Sequence, residues 1–192
     1  MSNTKDLILV AIFAALTAIG AFIKIPIPYV PFTLQYLFCA LAGVILGPRL
    51  GALSQIVYVS IGLLGVPVFT EGGGFNYIFK PTFGYLIGFI IAAFVIGKLR
   101  DNIKELTFTK AIFMMLSGLL FIYLFGIAYL YIILNLYLGK NVSFYFVFFY
   151  GFVVCIAGDL VLTLLAAYIS VKVLPTLIKS GYITPERVKG AV

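Results

Sequence analysis

The sequence predicts an all-α integral membrane protein with six transmembrane helices and an outer lid loop between helices three and four. Three observations predict this class: the composition, the spacing of the apolar segments and the placement of the basic residues. Hydrophobic residues make up 64% of the chain and charged residues 10%, with a mean hydropathy of +1.20. Because an ordinary soluble domain contains about 25% charged residues, we expect residues 1–192 to form a single membrane domain.

Six apolar segments follow one another along the chain, separated by charged or helix-breaking residues such as Pro48 and Arg49. A transmembrane helix needs roughly 17–25 apolar residues, and the second segment is somewhat short. The first segment is too long for the hydrophobic region of a simple signal peptide, and no small-residue cleavage site follows it, so we expect no cleavable signal. The segments are residues 7–23, 33–46, 50–64, 82–97, 111–138 and 144–174.

The basic residues follow the positive-inside rule if there are six spans and both termini are cytoplasmic. Of the 13 Lys and Arg residues, Lys24, Lys80 and Lys140 then fall outside. Adding or removing a span would destroy this bias. The distribution also explains the net charge of +7 without a nucleic-acid partner, and it makes residues 175–192 a cytoplasmic tail. The inner set is Lys5, Arg49, Lys98, Arg100, Lys104, Lys110, Lys172, Lys179, Arg187 and Lys189.

Small residues recur at helical spacing on the first and fourth segments. Such stripes let the backbones of two helices approach closely. On the first segment, the pattern fits either packing inside the bundle or docking of another membrane protein. The stripes are Ala11, Ala14, Ala15, Ala18 and Ala21 on the first segment, and Gly84, Gly88 and Ala92 on the fourth.

The outer connection at residues 65–85, GVPVFTEGGGFNYIFKPTFGY, is too apolar for a solvated loop and too rich in Gly and Pro for a helix. Irregular backbone at membrane depth is tolerated only where it is buried in protein or lines a cavity, which predicts a lid. Glycines such as Gly73 allow close approach to a ligand, and Asn76 and Lys80 are the polar groups best suited to face it. Alternatively, the loop lies in the membrane interface with Lys80 reaching towards water.

Asp159 lies inside the apolar sixth segment. A charge in hydrocarbon is costly, so an intramembrane acid usually faces a partner, a cavity or a ligand. Helical periodicity places small residues on its face and bulky aliphatics opposite. The acid is then either a structural group, bonded to a helix hydroxyl or amide or held neutral by burial, or an acceptor for N–H groups of a ligand or of Lys80. Its predicted face is Gly151, Cys155, Thr163, Ala166 and Ala167, and the predicted lipid face is Val153, Val154, Val161, Leu164 and Leu165.

The connection before the second segment, KIPIPYVPFTLQ, contains three prolines that forbid regular helix and favour an extended path. It lies on the outer side, where Thr33 and Gln35 enter the second segment. These two side chains either face a cavity from the first turn of that helix or serve in capping and interfacial anchoring.

Several activities are disfavoured by the residues the chain lacks. It contains no His, and Cys39 and Cys155 both lie in apolar segments, so we predict no metal site and no disulfide. The predicted spans hold no acid besides Asp159, which leaves a carboxylate pair for hydrolysis unsupported. The chain also has no Gly-x-x-x-x-Gly-Lys-Ser/Thr motif for ATP. We therefore predict no cofactor and no enzymatic activity.

Several stretches, in order, resemble the BioY family, the biotin-binding S components of energy-coupling factor (ECF) vitamin transporters. They are IPIPYVPFTLQ, LGPRLGALSQIVYVSIGLLGVPVF, the glycine-rich loop, PTFGYLIGF and GDLV, and the resemblance covers residues 7–174 approximately. It implies six helices, cytoplasmic termini and high-affinity biotin uptake across a bacterial or archaeal cytoplasmic membrane. The implied partners are biotin, the lipid bilayer, a coupling transmembrane subunit and two ATPase subunits. The coupling subunit would dock on Ala11, Ala14, Ala15 and Ala18.

The resemblance also implies a substrate site beneath the loop. Asp159 would accept from the ureido ring, Asn76 would both donate and accept, and Lys80 would pair with the carboxylate. Many family members carry a lysine three residues after the acid, where this chain has Leu162. The aromatic lining would include Phe69, and the full predicted site is Asp159, Asn76, Lys80, Tyr85, Gly73, Phe75, Tyr77, Gln35 and Thr33. The alternatives are an S component for a different vitamin and a small multipass membrane enzyme.

Overall fold

The computed structural model describes residues 4–103 and 105–181, which fold mostly as α-helix. Five of these helices are long and apolar enough to cross a membrane, which confirms the predicted all-α membrane class. The basic residues Lys104, Arg187 and Lys189 and the end of the predicted tail lie outside the described residues. The five helices are α1 Thr4–Phe22, α2 Gln35–Leu63, α3 Phe83–Asp101, α4 Phe108–Tyr137 and α5 Phe144–Lys179.

Helix α2 reverses direction at Gly47, which has a φ of 81° and a ψ of −176° and is followed by Pro48. Gln35 Nε2 donates to the Tyr58 hydroxyl at 2.7 Å, although 23 residues separate the two. In a straight helix they would lie about 35 Å apart. The two arms, residues 35–46 and 48–63, therefore lie side by side. They correspond to the second and third predicted segments. The structure has five long helices where the sequence predicts six segments because these two segments form the single helix α2.

Glycines bring the helices into close contact. A Cβ on Gly88 of α3 would lie 2.7 Å from the Cα of Ile122 in α4, and one on Gly84 would overlap Tyr129. Gly97, near the end of α3, packs in the same way against Pro48. The small-residue stripe of the fourth predicted segment is thus a helix-packing surface inside the bundle.

The outer connection between α1 and α2 is extended, as its prolines predict. Strand β1 (Lys24–Ile25) pairs antiparallel with β2 (Phe32–Thr33), and Lys24 lies opposite Thr33. This small hairpin and residues 64–82, which join α2 to α3, cover the same end of the bundle, because Lys24 Nζ donates to the carbonyl oxygen of Thr70 at 2.5 Å.

The helices extend beyond the predicted segments, and this corrects one expectation. Asp6 lies in the first turn of α1, where it is 6% exposed, and Asp101 ends α3 beside the buried Arg100. Asp159 is therefore not the only acid in the membrane-length helices. It differs from the other two because it lies well inside its helix, whereas Asp6 and Asp101 lie at helix ends.

Candidate substrate-binding site

A cavity lies beneath the outer connections and between four of the five long helices. Helices α2 to α5 and both outer connections contribute to its wall, while α1 does not. The centre of a water-sized sphere can occupy about 60 Å³ of it. The lining residues are Val30, Pro31, Phe32, Thr33, Gln35, Tyr36, Thr70, Tyr77, Thr82, Tyr85, Leu86, Phe89, Ile122, Tyr123, Cys155 and Asp159.

Asp159 is half-buried and lines this cavity from α5. The hydroxyl of Tyr123 on α4 donates a short hydrogen bond to its Oδ2 atom. The sequence left open a helix hydroxyl or amide, a ligand, or Lys80 as the donor, and in the structure the donor is a tyrosine hydroxyl of the neighbouring helix. The carboxylate is thus both bonded within the bundle and exposed to the cavity, so the structural and ligand-binding interpretations are compatible.

The predicted orientation of Asp159 on its helix is confirmed by the burial of its neighbours. The five residues predicted to share its face are all buried, whereas Val153, Val161, Leu164 and Leu165 are 43–64% exposed and Val154 is intermediate. Helix α5 is locally π-helical at Phe149–Val153, a segment that includes Gly151 of this face. The bulky aliphatic side therefore faces away from the bundle, and the small-residue side makes room beside the acid.

Tyrosine hydroxyls in the wall are bonded to the backbone of other helices. Tyr85 donates to the carbonyl of Gly151 at 2.8 Å, and Tyr36 donates to that of Met115 at 3.1 Å. The Tyr36 hydroxyl also lies 3.0 Å from Thr163 Oγ1. These bonds fix the rings so that their apolar faces form the wall. Such aromatic linings suit ligands with apolar bodies and few polar groups.

Gln35 and Thr33 connect the cavity wall to the rest of the fold. Thr33 Oγ1 donates to Gln35 Oε1 at 3.0 Å, Gln35 Nε2 donates to the Tyr58 hydroxyl, and Tyr58 donates to the carbonyl of Val68 at 3.0 Å. Thr33 also accepts a long bond of 3.4 Å from the backbone N–H of Gln35. The pair therefore lines the cavity, whereas Leu34, which precedes α2, makes no side-chain capping bond.

The inner side of the loop at residues 64–82 forms one wall of the cavity. Tyr77 is 4% exposed, and its hydroxyl lies 2.9 Å from Thr70 Oγ1 and 3.2 Å from Thr82 Oγ1. Behind Tyr77, the ring of Phe69 packs at a centroid distance of 4.4 Å and fills the space over Gly62. Phe69 therefore supports the wall and does not line it.

The outer side of the same loop carries four residues that the sequence assigned to the site: Gly73, Phe75, Asn76 and Lys80. All four are exposed, and none belongs to the lining. Lys80 Nζ lies 2.9 Å from Glu71 Oε2, and this ion pair raises the pKa of Lys80. The structure thus brings together Asp159, Tyr85, Tyr77, Gln35 and Thr33, while the other four face away from the cavity.

Sequence reasoning missed several residues of the wall, chiefly Tyr36, Phe89 and Tyr123. Each is an aromatic residue within an apolar helix, a pattern that is equally typical of lipid-facing positions. The most important omission is Tyr123, because it lies 36 residues from Asp159 along the chain. The interpretation of Asp159 as a group bonded to a helix hydroxyl did, however, make a tyrosine in another span a candidate donor.

A second depression lies on the side of α1. It measures about 290 Å³ and is lined by Ala11, Ala14, Ala15, Ala18, Val57, Tyr58, Ile61 and Val68. We call this surface the alanine groove. Ala11 and Ala15 are exposed in it, whereas Ala21, from the same stripe, is 0% exposed inside the bundle. The stripe therefore serves both as a packing surface and as the wall of an open groove.

Comparisons with known proteins agree over nearly the whole chain. The BioY family model matches residues 1–179. A probable biotin transporter BioY of Lysinibacillus sphaericus is 50% identical over 168 residues, 88% of this chain and 86% of the relative. The biotin transporter BioY of Thermotoga maritima is 39% identical over 172 residues, 88% of this chain and 95% of the relative.

A solved structure agrees as well. The crystal structure of the S-component for biotin from an ECF-type ABC transporter superposes with a TM-score of 0.77 at 28% sequence identity. The alignment covers 90% of this chain and 94% of that chain. Taken with the match of the family model and of close relatives, this establishes that the chain belongs to the BioY family.

Proposed function

We propose that this protein is the S component of an ECF transporter and that it binds biotin in the cavity beneath its outer loop. The observation that carries the proposal is Asp159, a half-buried carboxylate held by Tyr123 in an aromatic cavity. Its relatives are named as biotin transporters, and not as enzymes, and its structural neighbour is a biotin S-component. Partner subunits would hydrolyse ATP, since the sequence carries no phosphate-binding loop motif.

The chemistry of biotin matches the wall. Its ureido ring has two N–H donors, and Asp159 can accept from one of them through the carboxylate oxygen that Tyr123 does not engage. The bicyclic body and the valeryl chain can pack on the rings of Tyr77, Tyr85 and Phe89. A ligand that leaves a buried polar group unpaired loses about 1–3 kcal/mol for each such group, which favours biotin over vitamins of different polarity.

The loop at residues 64–82 acts as the lid in this proposal. It supplies Thr70, Tyr77 and Thr82 to the wall, and its backbone takes positive φ values of 105–109° at Gly65, Gly72 and Gly74. Glycine reaches that region without steric penalty, which gives the loop three points at which it can turn. We expect biotin to enter by an outward shift of this wall, because the loop forms one side of the cavity.

We also propose six spans and a cytoplasmic location for both termini. The two arms of α2 would enter the membrane as separate segments, and the break at Gly47 packs against Gly97 near the end of α3. Arg49 and Lys98 then share one end of the bundle, opposite the end at which Lys24 contacts Thr70. This arrangement places the cavity at the outer face of the cytoplasmic membrane.

The alanine groove is the proposed docking surface for the coupling transmembrane subunit, through which two ATPase subunits would act. Small side chains at Ala11 and Ala15 leave room for a partner helix to approach closely. The groove lies on α1, which contributes nothing to the cavity wall, so docking and ligand binding can take place together.

Equilibrium binding to the purified protein in detergent tests the proposed function. We expect stoichiometric retention of biotin, unchanged on recovery, and no comparable binding of riboflavin or thiamine in titration calorimetry. Tight binding of another vitamin instead of biotin would assign a different substrate to this S component. Chemical conversion of the ligand, followed by mass spectrometry, would contradict a pure binding role.

A further inference from the structure

The cavity wall contains a single charged residue, Asp159, among the described residues that line it. Biotin is an anion at neutral pH, and its carboxylate cannot lie beside another carboxylate without repulsion. The ligand must therefore direct its tail away from Asp159, towards the outer rim. The rim of the cavity must supply a cation if the site is to prefer biotin, with its carboxylate, over a neutral derivative.

We propose that Lys24 is this cation and that it sets the preference of the site for a carboxylate-bearing ligand. The inference rests on the proposed function, since it takes biotin as the ligand. It identifies a specificity residue on the connection between α1 and α2, whereas the sequence pointed to Lys80 on the loop at residues 64–82.

Two independent contacts place Lys24 at the rim of the cavity. Its backbone pairs with Thr33, which lines the cavity. Its ammonium group donates to the carbonyl oxygen of Thr70, another lining residue, at 2.5 Å. Lys24 is exposed, and its side chain reaches from the β1–β2 hairpin to the loop. A ligand tail that leaves the cavity between these two connections must pass beside this ammonium group.

The charge of Lys24 is available to such a ligand. Its ammonium group donates to a neutral carbonyl, which uses one of its three N–H donors and does not neutralise the positive charge. The ammonium of Lys80 is paired with Glu71, and that of Lys140 lies 5.3 Å from the ring centre of Tyr29. Among the outer lysines of residues 4–103 and 105–181, Lys24 is the one whose ammonium group donates a hydrogen bond to a residue of the cavity wall.

Binding of a carboxylate by Lys24 would also hold the loop in place. The same ammonium would then bridge the ligand and the carbonyl of Thr70, so that the tail of the ligand fastens the hairpin to the loop. A neutral ligand would make no ionic contact with this ammonium group. The distinction between biotin and a neutral derivative therefore measures the charge role of Lys24 separately from its structural role.

The test compares biotin with biotinamide, in which a carboxamide replaces the carboxylate, by titration calorimetry on the full chain. We expect Lys24→Met to weaken biotin binding at least tenfold, about 1.4 kcal/mol, and biotinamide binding by less than about threefold. Lys24→Arg should retain most of the affinity for biotin. The control Lys80→Met, which removes an exposed lysine already paired with Glu71, should weaken neither ligand by more than about twofold.

Equal losses for the two ligands in Lys24→Met would show that Lys24 only fastens the loop, and would overturn the inference. The same conclusion follows if Lys24→Met changes neither affinity, or if Lys80→Met shows the selective loss of biotin. In all three cases the unmodified protein still binds biotin, so the proposed function stands. If the unmodified protein binds neither ligand, both the proposed function and this inference fail.

Discussion

For Asp159, the sequence predicts the face of the helix on which the residue lies, but it does not predict which residue donates a hydrogen bond to it. A helix fixes the angle between successive side chains, so the small residues around Asp159 predicted that it faces the bundle, and their burial confirms it. The identity of Tyr123 as its donor depends on how α4 packs against α5, which local sequence does not determine. For the same reason, polar residues on an irregular loop, such as Asn76 and Lys80, could not be assigned to its inner or outer side.

Replacement of Asp159 by Asn should weaken biotin binding at least tenfold, about 1.4 kcal/mol. The amide keeps the size of the side chain but removes the negative charge that strengthens a hydrogen bond from a ureido N–H. Titration calorimetry measures the change, and Glu105→Gln, at an exposed acid outside the cavity, is the matched control. Unchanged affinity in Asp159→Asn would remove this residue from the site.

At the scale of elements, the reversal of α2 determines the site, because it places Gln35 of the first arm beside Tyr58 of the second. The sequence predicted the two arms as separate apolar segments, since Pro48 and Arg49 interrupt the run. The geometry of the turn depends on Gly47, whose φ of 81° with an extended ψ is essentially restricted to glycine. Arg100 approaches this turn closely, a contact that no local pattern indicates.

Gly47→Ala should therefore destabilise the protein by about 1–3 kcal/mol, the usual range for such a backbone strain. The added Cβ would also lie 3.1 Å from a guanidinium nitrogen of Arg100. Thermal unfolding in detergent measures the loss of stability. Gly65→Ala is the control for backbone strain alone, because its φ is 109° and nothing lies within 4 Å of its Cβ position. A larger loss in Gly65→Ala than in Gly47→Ala would contradict the assigned role of the turn.

The Tyr58 hydroxyl joins three elements, since it accepts from Gln35 and donates to the carbonyl of Val68 in the loop. Tyr58→Phe keeps the ring but leaves both groups without this partner. We expect biotin binding to weaken about threefold to tenfold, in line with the loss of one or two hydrogen bonds, and the loop to become more sensitive to protease. Tyr131→Phe, at a residue that is 40% exposed, is the control. If Tyr58→Phe and Tyr131→Phe have the same affinity for biotin and the same sensitivity to protease, the Tyr58 hydroxyl does not support the site.

At the scale of the whole molecule, the charge distribution and the cavity were predictable to different degrees. The positive-inside rule needs only the order of charges along the chain, so an orientation followed from sequence. The cavity is assembled from four helices and two connections that are far apart in sequence, so its lining could be predicted only in part. The alanine stripe was ambiguous because one helix face can pack inside the bundle, as Ala21 does, and also line an open groove, as Ala15 does.

The proposed orientation predicts which connections are accessible from outside the cell. Asn141, between α4 and α5, and Asn102, at the end of α3, are both exposed and make a matched pair for cysteine substitution. The native Cys39 and Cys155 are buried, so they should react little. We expect a membrane-impermeant maleimide to label Asn141→Cys in intact cells and to label Asn102→Cys only after lysis. Labelling of position 102 in intact cells would reverse the orientation.

The separation between the alanine groove and the cavity leads to a prediction about transport. Ala15 is exposed in the groove, and Ala15→Trp would fill the space that we propose for a partner helix. Since α1 does not line the cavity, we expect this variant to bind biotin within about twofold of the unmodified protein, yet to lose most biotin uptake by cells and most co-purification with the coupling subunit. Ile12→Trp is the control, because Ile12 is 47% exposed on the same helix outside the groove. If Ala15→Trp transports normally, or if Ile12→Trp fails equally, the coupling subunit docks elsewhere.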